Sequence, residues 1–223
     1  MAIEGLSERL AVVLARIGRA AERAHRDPAR ILLLAVTKIF PAEAIQEAHA
    51  LGLRDFGENY VQEFEGKMPL VRTLAGARFH LIGHLQSNKA AKAAELFQVV
   101  QTVDSAKLAR RLNEAGRPLD VMLEVKLSQE EAKSGVDPVA VPVLIEAVRA
   151  CPNLHLRGLM TMPPWSEDPE APRQVFRSLR ELAEAHGLAE LSMGMSNDLE
   201  TAIEEGSTCV RVGTALFGRR RKV

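Results

Sequence analysis

Short apolar runs alternate with helical stretches along this chain, and that repeated change of period constrains its fold more than any other feature. Strand-like runs lie at Ile31–Val36, Leu53–Phe56, Phe79–Ile82, Phe97–Val103, Asp120–Val125, Leu154–Met160, Leu191–Met193 and Thr208–Val212. Their shortness and bulky apolar content suit strands buried on both faces. Helical periodicity predicts helices over Ala42–Ala50, Asn88–Leu96, Ser105–Ala115, Val139–Ala150, Pro172–His186 and Asp198–Glu204. Pro41 and Pro138 suit first turns, and Gly52, Gly116 and Gly187 suit helix ends. Strict alternation argues for a parallel sheet with crossover helices. Eight such units in 223 residues fit a closed (β/α)8 TIM barrel, an α/β fold. A doubly wound open sheet satisfies the same alternation.

One further helix precedes the first strand, within Met1–Ala29. Leu6, Leu10, Val13, Leu14 and Ile17 fall at helical spacing, with Glu4, Glu8, Arg9, Arg16 and Arg19 among them. The charges interrupt any apolar stretch a signal peptide would need, so residues 1–29 are expected to pack on the barrel as an amphipathic helix. No linker or low-complexity tract divides the chain, and residues 1–223 are expected to form one domain. No segment has the apolar length to span a bilayer, which points to a cytoplasmic protein. Lys plus Arg (29) equal Asp plus Glu (29), without the basic surplus usual for nucleic-acid binding. The one dense basic cluster, Arg219-Arg220-Arg221-Lys222, reads as a solvated tail. Cys151 and Cys209 have no metal-ligand spacing, no metal site is expected, and Cys209 suits a buried free thiol.

A barrel puts its functional residues just past the C-terminal ends of its strands. Lys38 closes the first strand there; it reads either as a surface lysine or as an amine whose pKa partial desolvation lowers for carbonyl attack. In Phe56-Gly57-Glu58-Asn59-Tyr60, Gly57 permits close backbone approach, and Asn59 is either a donor–acceptor group or a helix cap. His84 emerges after the third strand, with Ser87 or Asn88 as caps for the next helix. The seventh run is expected to break at Gly194 and enter a helix past Met195, Ser196 and Asn197, where N–H groups and the Ser196 hydroxyl suit a phosphate. Gly213 and Thr214 follow the eighth strand, and barrels often bind phosphate with these last two loops. Arg211 shares Gly213's inward face and needs a partner, either a carboxylate or a ligand ring nitrogen.

The stretches Ala35-Val-Thr-Lys38, Phe56-Gly-Glu-Asn-Tyr60, His80-Leu-Ile-Gly-His-Leu-Gln-Ser-Asn-Lys89, Lys133-Ser-Gly135, Gly158-Leu-Met-Thr-Met162, Leu191-Ser-Met-Gly-Met-Ser196 and Val210-Arg-Val-Gly-Thr214 together resemble the pyridoxal phosphate homeostasis proteins. That family is related in fold to the N-terminal barrel of alanine racemase. The resemblance implies pyridoxal 5'-phosphate (PLP) as cofactor, held as a Schiff base on Lys38. It implies Ser196, Gly213 and Thr214 at the phosphate, Met195 and Asn59 lining the cofactor, and Arg211 against the pyridine nitrogen. His84 and Ser192 match family motifs without an assigned contact. Glu124-Val-Lys126-Leu-Ser128 departs from the Asn-containing form of many members, so polar contacts there are expected to differ.

An Arg beside the ring nitrogen disfavours the pyridinium and makes the cofactor a poorer electron sink. A racemase also needs a second acid/base. In alanine racemase this is a tyrosine from another domain; the one tyrosine here, Tyr60, reads as packing or a helix start. The leading expectation is therefore a PLP carrier with little or no catalysis, acting in PLP storage, delivery and buffering. Its partners would be PLP and apo-enzymes that receive it, without nucleic acid or membrane, and the chain is expected to be a monomer because the racemase dimer depends on its additional domain. The alternatives are a PLP-dependent amino-acid racemase of narrow scope, and a sugar-phosphate barrel using Lys38 as an aldolase-type lysine without cofactor. Trp165, in the loop past the sixth strand, either covers the site or packs on a neighbouring helix.

Overall fold

The computed structural model describes residues 5–128 and 134–218. Glu4, Lys133 of the Lys-Ser-Gly motif and the Arg219–Lys222 cluster lie outside the described residues. Eight strands, β1 (Leu32–Val36), β2 (Asp55–Glu58), β3 (Arg78–Leu81), β4 (Val99–Val103), β5 (Leu119–Glu124), β6 (Leu154–Met160), β7 (Glu190–Met195) and β8 (Cys209–Val212), pair in parallel in sequence order. Pairing of β8 with β1 closes the barrel and excludes the open sheet. The helices are α1 (Leu6–Arg23), α2 (Ala42–Ala50), α3 (Val61–Val71), α4 (Ala90–Leu96), α5 (Ala106–Asn113), α6 (Val141–Arg149), α7 (Arg173–Ala185), α8 (Leu199–Glu204) and α9 (Thr214–Phe217).

Differences from the expected boundaries have local causes. The second strand begins at Asp55 rather than Leu53, because the Leu53 N–H still bonds back to Ala48 O around left-handed Gly52 (φ 99°). Phe97 likewise ends α4, its N–H bonded to Ala93 O, so the fourth strand starts at Val99. A 3-10 turn, Ser87–Lys89, precedes α4, and neither Ser87 nor Asn88 caps it. The seventh strand does not break at Gly194: it runs on to Met195 through a positive φ of 90°, with its pairing to β8 slipping between Ser192 and Met195.

Leu6, Leu10, Val13 and Ile17 bury one stripe of α1 against α8 and α9. Leu14 is not part of it and stays 50% exposed, because it stands one residue, about 100° of helix, past Val13. Each aliphatic side chain of the stripe contributes at most about 2 kcal/mol through burial. Phe56, Phe64, Phe79 and Phe97 form an aromatic cluster outside β2 and β3, with ring centroids 4.7 to 5.9 Å apart. Among the described residues no helix is long and apolar enough to cross a membrane.

The barrel interior divides into an apolar part and a polar part. Leu34, Val36, Ile82 and Cys209 pack together as a small separate cluster. Buried His80, Gln101, Ser192 and Arg211 share the interior with them. Because β4 and β7 stand three strands apart around the ring, the hydrogen bond between Gln101 and Ser192 crosses the barrel.

Candidate functional site

A cavity of about 510 Å³ opens at the C-terminal mouth of the barrel. That volume is in the range of small-molecule and cofactor sites. Lys38, two residues past β1, lines it, as do Asn59 after β2, Met195 at the end of β7 and Ser196 just past it. Arg211, Gly213 and Thr214, from β8 and its loop, complete the set expected from the sequence. His84 and Ser192 stand outside it. His84 is exposed on an adjoining cavity of about 240 Å³, its Nδ1 3.7 Å from Asp104 Oδ2, and Ser192 is buried beneath Arg211.

Each side chain is fixed by its own local structure. The Ser196 hydroxyl accepts from the Ala215 N–H at 3.2 Å, which ties the last two loops together. Asp198 braces the same loop by accepting the Met195 N–H at 2.6 Å. From α1, Arg16 donates to Ser196 O at 3.0 Å while its fork grips both carboxylate oxygens of Glu200 at 2.6 and 2.7 Å. The N-terminal helix therefore supports the loop that carries Ser196. Asn59 does not cap the following helix; Tyr60 takes that position and is exposed rather than packed. The Asn59 Oδ1 is instead buried without a hydrogen-bond partner among the described residues. What Gly57 admits is side chains rather than backbone, since a Cβ there would meet Ile82 Cδ1 at 3.1 Å and Leu34 Cδ2 at 3.2 Å. Gly213 likewise sits against Val36, 3.4 Å from where its Cβ would lie. Trp165 is 75% exposed and lines the main cavity.

Among the described residues Arg211 makes no hydrogen bond to a carboxylate. Its guanidinium donates to Ser192 Oγ at 2.8 Å and to Thr161 O at 2.9 Å. Ser192 Oγ in turn donates to Gln101 Oε1 at 2.6 Å, and Gln101 Nε2 meets His80 Nδ1 at 3.0 Å. With the Gln101 oxygen committed to Ser192, its amide must donate to Nδ1, which assigns the remaining proton of His80 to Nε2. That nitrogen donates to Asp55 Oδ1 at 2.9 Å. Burial lowers the His80 pKa, which favours the neutral ring this assignment requires. Every donor in this series points away from the cavity, from Arg211 toward Asp55 at the opposite end of the barrel.

The adjoining cavity shares Asn59, Ile82 and Met162 with the main one. Glu124, at the end of β5, lines it together with Lys126, so the segment that departs from the resemblance does reach the site. Burial, reinforced by the nearby Asp104 carboxylate, pushes the Glu124 carboxyl up to about 7 against the attraction of Arg211. Its Oε2 is buried without a hydrogen-bond partner among the described residues. Cys209 is a buried free thiol, pushed up to about 11 by desolvation.

Sequence reading missed Arg16, Gln101, His80 and Asp198 as parts of this site, and marked Glu124 only as part of a segment that departs from the resemblance. His80, Gln101 and Glu124 do leave a trace, as polar residues inside otherwise apolar strands.

Comparison with known proteins agrees with this fold. The model of the alanine racemase N-terminal domain matches residues 11–221. A protein of Pseudomonas aeruginosa named pyridoxal phosphate homeostasis protein is 52% identical over 221 residues, 96% of each chain. A protein of the same name from Aquifex aeolicus is 42% identical over 224 residues, 96% of this chain and 98% of that one. PipY of Synechococcus elongatus, solved with PLP bound, superposes with a TM-score of 0.83 at 38% identity over 96% of this chain and all (100%) of that one. Alanine racemase of Corynebacterium glutamicum shares the fold, with a TM-score of 0.71 at 19% identity over 98% of this chain and 61% of its own. By its family match and its near-full-length identity to these relatives, the chain belongs to the pyridoxal phosphate homeostasis protein family.

Proposed function

We propose that the whole chain works as one PLP-binding domain, with Lys38 holding the cofactor as a Schiff base and Ser196, Gly213 and Thr214 taking its phosphate. One observation carries the reading: a single cavity gathers the lysine, the hydroxyls and tied backbone of the last two loops, a buried arginine and the unpartnered Asn59 oxygen. That set fits PLP, which brings an aldehyde for an amine, a phosphate for the loops and a ring hydroxyl able to donate to an unpaired acceptor. When bound, PLP supplies a reversible imine linkage and an electron-withdrawing ring. Arg211 would stand against the ring nitrogen as a cation whose hydrogen-bond partners among the described residues are neutral, and would so work against a proton on that nitrogen. Met195 and Asn59, which line the cavity, would flank the cofactor.

This arrangement supports binding over catalysis, and the relatives' shared name supports a role in PLP homeostasis. Storage of PLP and its delivery to recipient apo-enzymes by a cytoplasmic monomer are our extension of that role. One observation favours the second reading, a racemase of narrow scope: Glu124, poised near 7 in the adjoining cavity, has the pKa of a general acid/base. Amino-acid turnover abolished by Lys38→Ala would establish that reading, and none across a broad panel would remove it.

The deciding experiment is the visible spectrum of the protein with added PLP, native and Lys38→Ala. A Schiff-base band in the native protein and none in the variant is expected. A band of equal strength in Lys38→Ala would show that another amine is the anchor.

A further inference from the structure

Beneath the turn that carries Lys38 lies a buried ionic cluster that the site itself does not use. Lys67, on α3, is only 7% exposed, and its ammonium has three acceptors: Thr37 O at 3.0 Å, Glu58 Oε1 at 2.8 Å and Glu63 Oε1 at 2.7 Å. Three N–H donors meet three acceptors, so its donor capacity is filled. The same two carboxylates reach the residues on either side of Lys38. Thr37 Oγ1 donates to Glu58 Oε1 at 2.7 Å, and the Ile39 N–H donates to Glu63 Oε1 at 2.6 Å.

Ile39 marks what the cluster holds in place. Its φ is 71°, in the left-handed region that β-branched residues avoid, and the residue is 54% exposed, so core packing does not impose that conformation. Two bonds hold it there: its own N–H to Glu63, and the Phe40 N–H to Thr37 O, which closes the turn around it. Thr37 is pinned from two further sides, its N–H on Gly57 O and its carbonyl accepting from Phe40 N. Glu58 is fully buried, and burial raises its carboxyl pKa while Lys67 opposes that rise. Without Lys67, two carboxylates would face each other under the turn.

We propose that Lys67 is a positioning residue for Lys38, acting through Glu58 and Glu63 to hold both flanking residues so that the Lys38 amine is presented to the cavity. The inference rests on the reading of Lys38 as the cofactor's anchor. A strained turn relaxes unless its surroundings over-determine it, and this cluster supplies the determination.

The test separates presentation of the amine from binding of the phosphate. Borohydride trapping of PLP gives the rate and yield of the covalent adduct, and pyridoxine 5'-phosphate, which lacks the aldehyde, gives binding without the lysine's chemistry. In Glu63→Ala the adduct should form roughly tenfold more slowly, the equilibrium equivalent of one left-handed residue's strain, with pyridoxine 5'-phosphate binding within about twofold of native. Adding Ile39→Gly to Glu63→Ala should restore the rate to within about threefold, because glycine adopts this φ without a clamp. Lys67→Met should slow trapping at least as much as Glu63→Ala; if it fails to fold, the Glu63 and Ile39 variants decide alone. A native trapping rate in Glu63→Ala overturns the proposal, as does equal loss of trapping and pyridoxine 5'-phosphate binding, or a defect that Ile39→Gly leaves uncorrected. Lys38→Ala is the control: full trapping in that variant would mean the anchor itself was misassigned, a failure separate from any behaviour of the clamp.

Discussion

The hydrogen bonds inside the barrel make Ser192→Ala the most informative substitution. Ser192 is fully buried, and its hydroxyl accepts from Arg211 at 2.8 Å and donates to Gln101 at 2.6 Å. Alanine removes both bonds without enlarging the side chain. One guanidinium N–H then lacks its acceptor and the Gln101 oxygen its donor, in an interior shared with Leu34, Ile82 and Cys209. A buried neutral group left unpaired costs about 1–3 kcal/mol and a charged one more, so the two together predict a loss of about 3–5 kcal/mol. That is a large share of the roughly 5–15 kcal/mol that keeps a domain folded. Urea unfolding followed by far-UV circular dichroism measures it. Gln101→Leu and the double variant complete a cycle, and residues bonded this directly should couple by about 1 kcal/mol or more. A Ser192→Ala loss below about 0.5 kcal/mol, or strict additivity in the cycle, would refute the continuous chain from Arg211 to Asp55.

Two further outcomes follow from the same geometry. Glu124 titrates near 7 in the folded protein against 4.5 when unperturbed, so its contribution to stability is complete below about pH 4.5 and is lost as the pH rises through 7, by up to about 3 kcal/mol. Asp104 raises it, Arg211 lowers it, and His84 and Lys126 share its cavity; Glu124→Gln should flatten the fall in denaturation midpoint between pH 5 and pH 8, and identical falls in both proteins would show that another group titrates. In Gly83→Ala the new Cβ would lie 2.2 Å from Asn59 O, backbone that has to move, so PLP affinity should drop by about tenfold or more; native affinity in a titration would show that the position of Asn59 does not matter to the ligand.

The parts of this molecule legible in the sequence are those decided within a few residues. Short apolar runs, Gly52 and Pro138 mark elements because period and backbone preference act locally, and Lys38, Ser196 and Thr214 stand out because a barrel delivers strand ends to one mouth. The errors were also local. Leu53 looked like strand because its apolarity fits one, yet its N–H belongs to the end of α2. Gly194 looked like a stop, yet positive φ lets a strand slip its register and continue. Arg16 looked like solvent-facing charge on an amphipathic helix, and only the packing of α1 on α8 brings it to Ser196. What no reading by segments reaches is the polar interior. His80, Gln101, Ser192 and Arg211 come from β3, β4, β7 and β8, and each alone is an anomaly in an apolar strand whose partner lies across the barrel.

That interior also bears on what the cavity is for. Burying a guanidinium is expensive unless its donors are used, and the usual remedy is a carboxylate in contact. Here the hydrogen-bond partners among the described residues are a hydroxyl and a backbone carbonyl, while Asp55 lies four hydrogen bonds away through Ser192, Gln101 and His80. A touching carboxylate would have cancelled the charge under the cavity floor; the two neutral partners each take one guanidinium N–H and leave the charge in place. Glu124 and Asp198 attract Arg211 without bonding to it, which lessens the cost of burial without removing the cation. Under the reading proposed above, a fixed cation beside the ring nitrogen withholds the proton that would make PLP a strong electron sink, while the lysine and phosphate loops still hold it. Binding by the lysine and loops and restraint by the buried cation would thus be divided between different residues of one cavity, which suits a protein that keeps an aldehyde available without spending it.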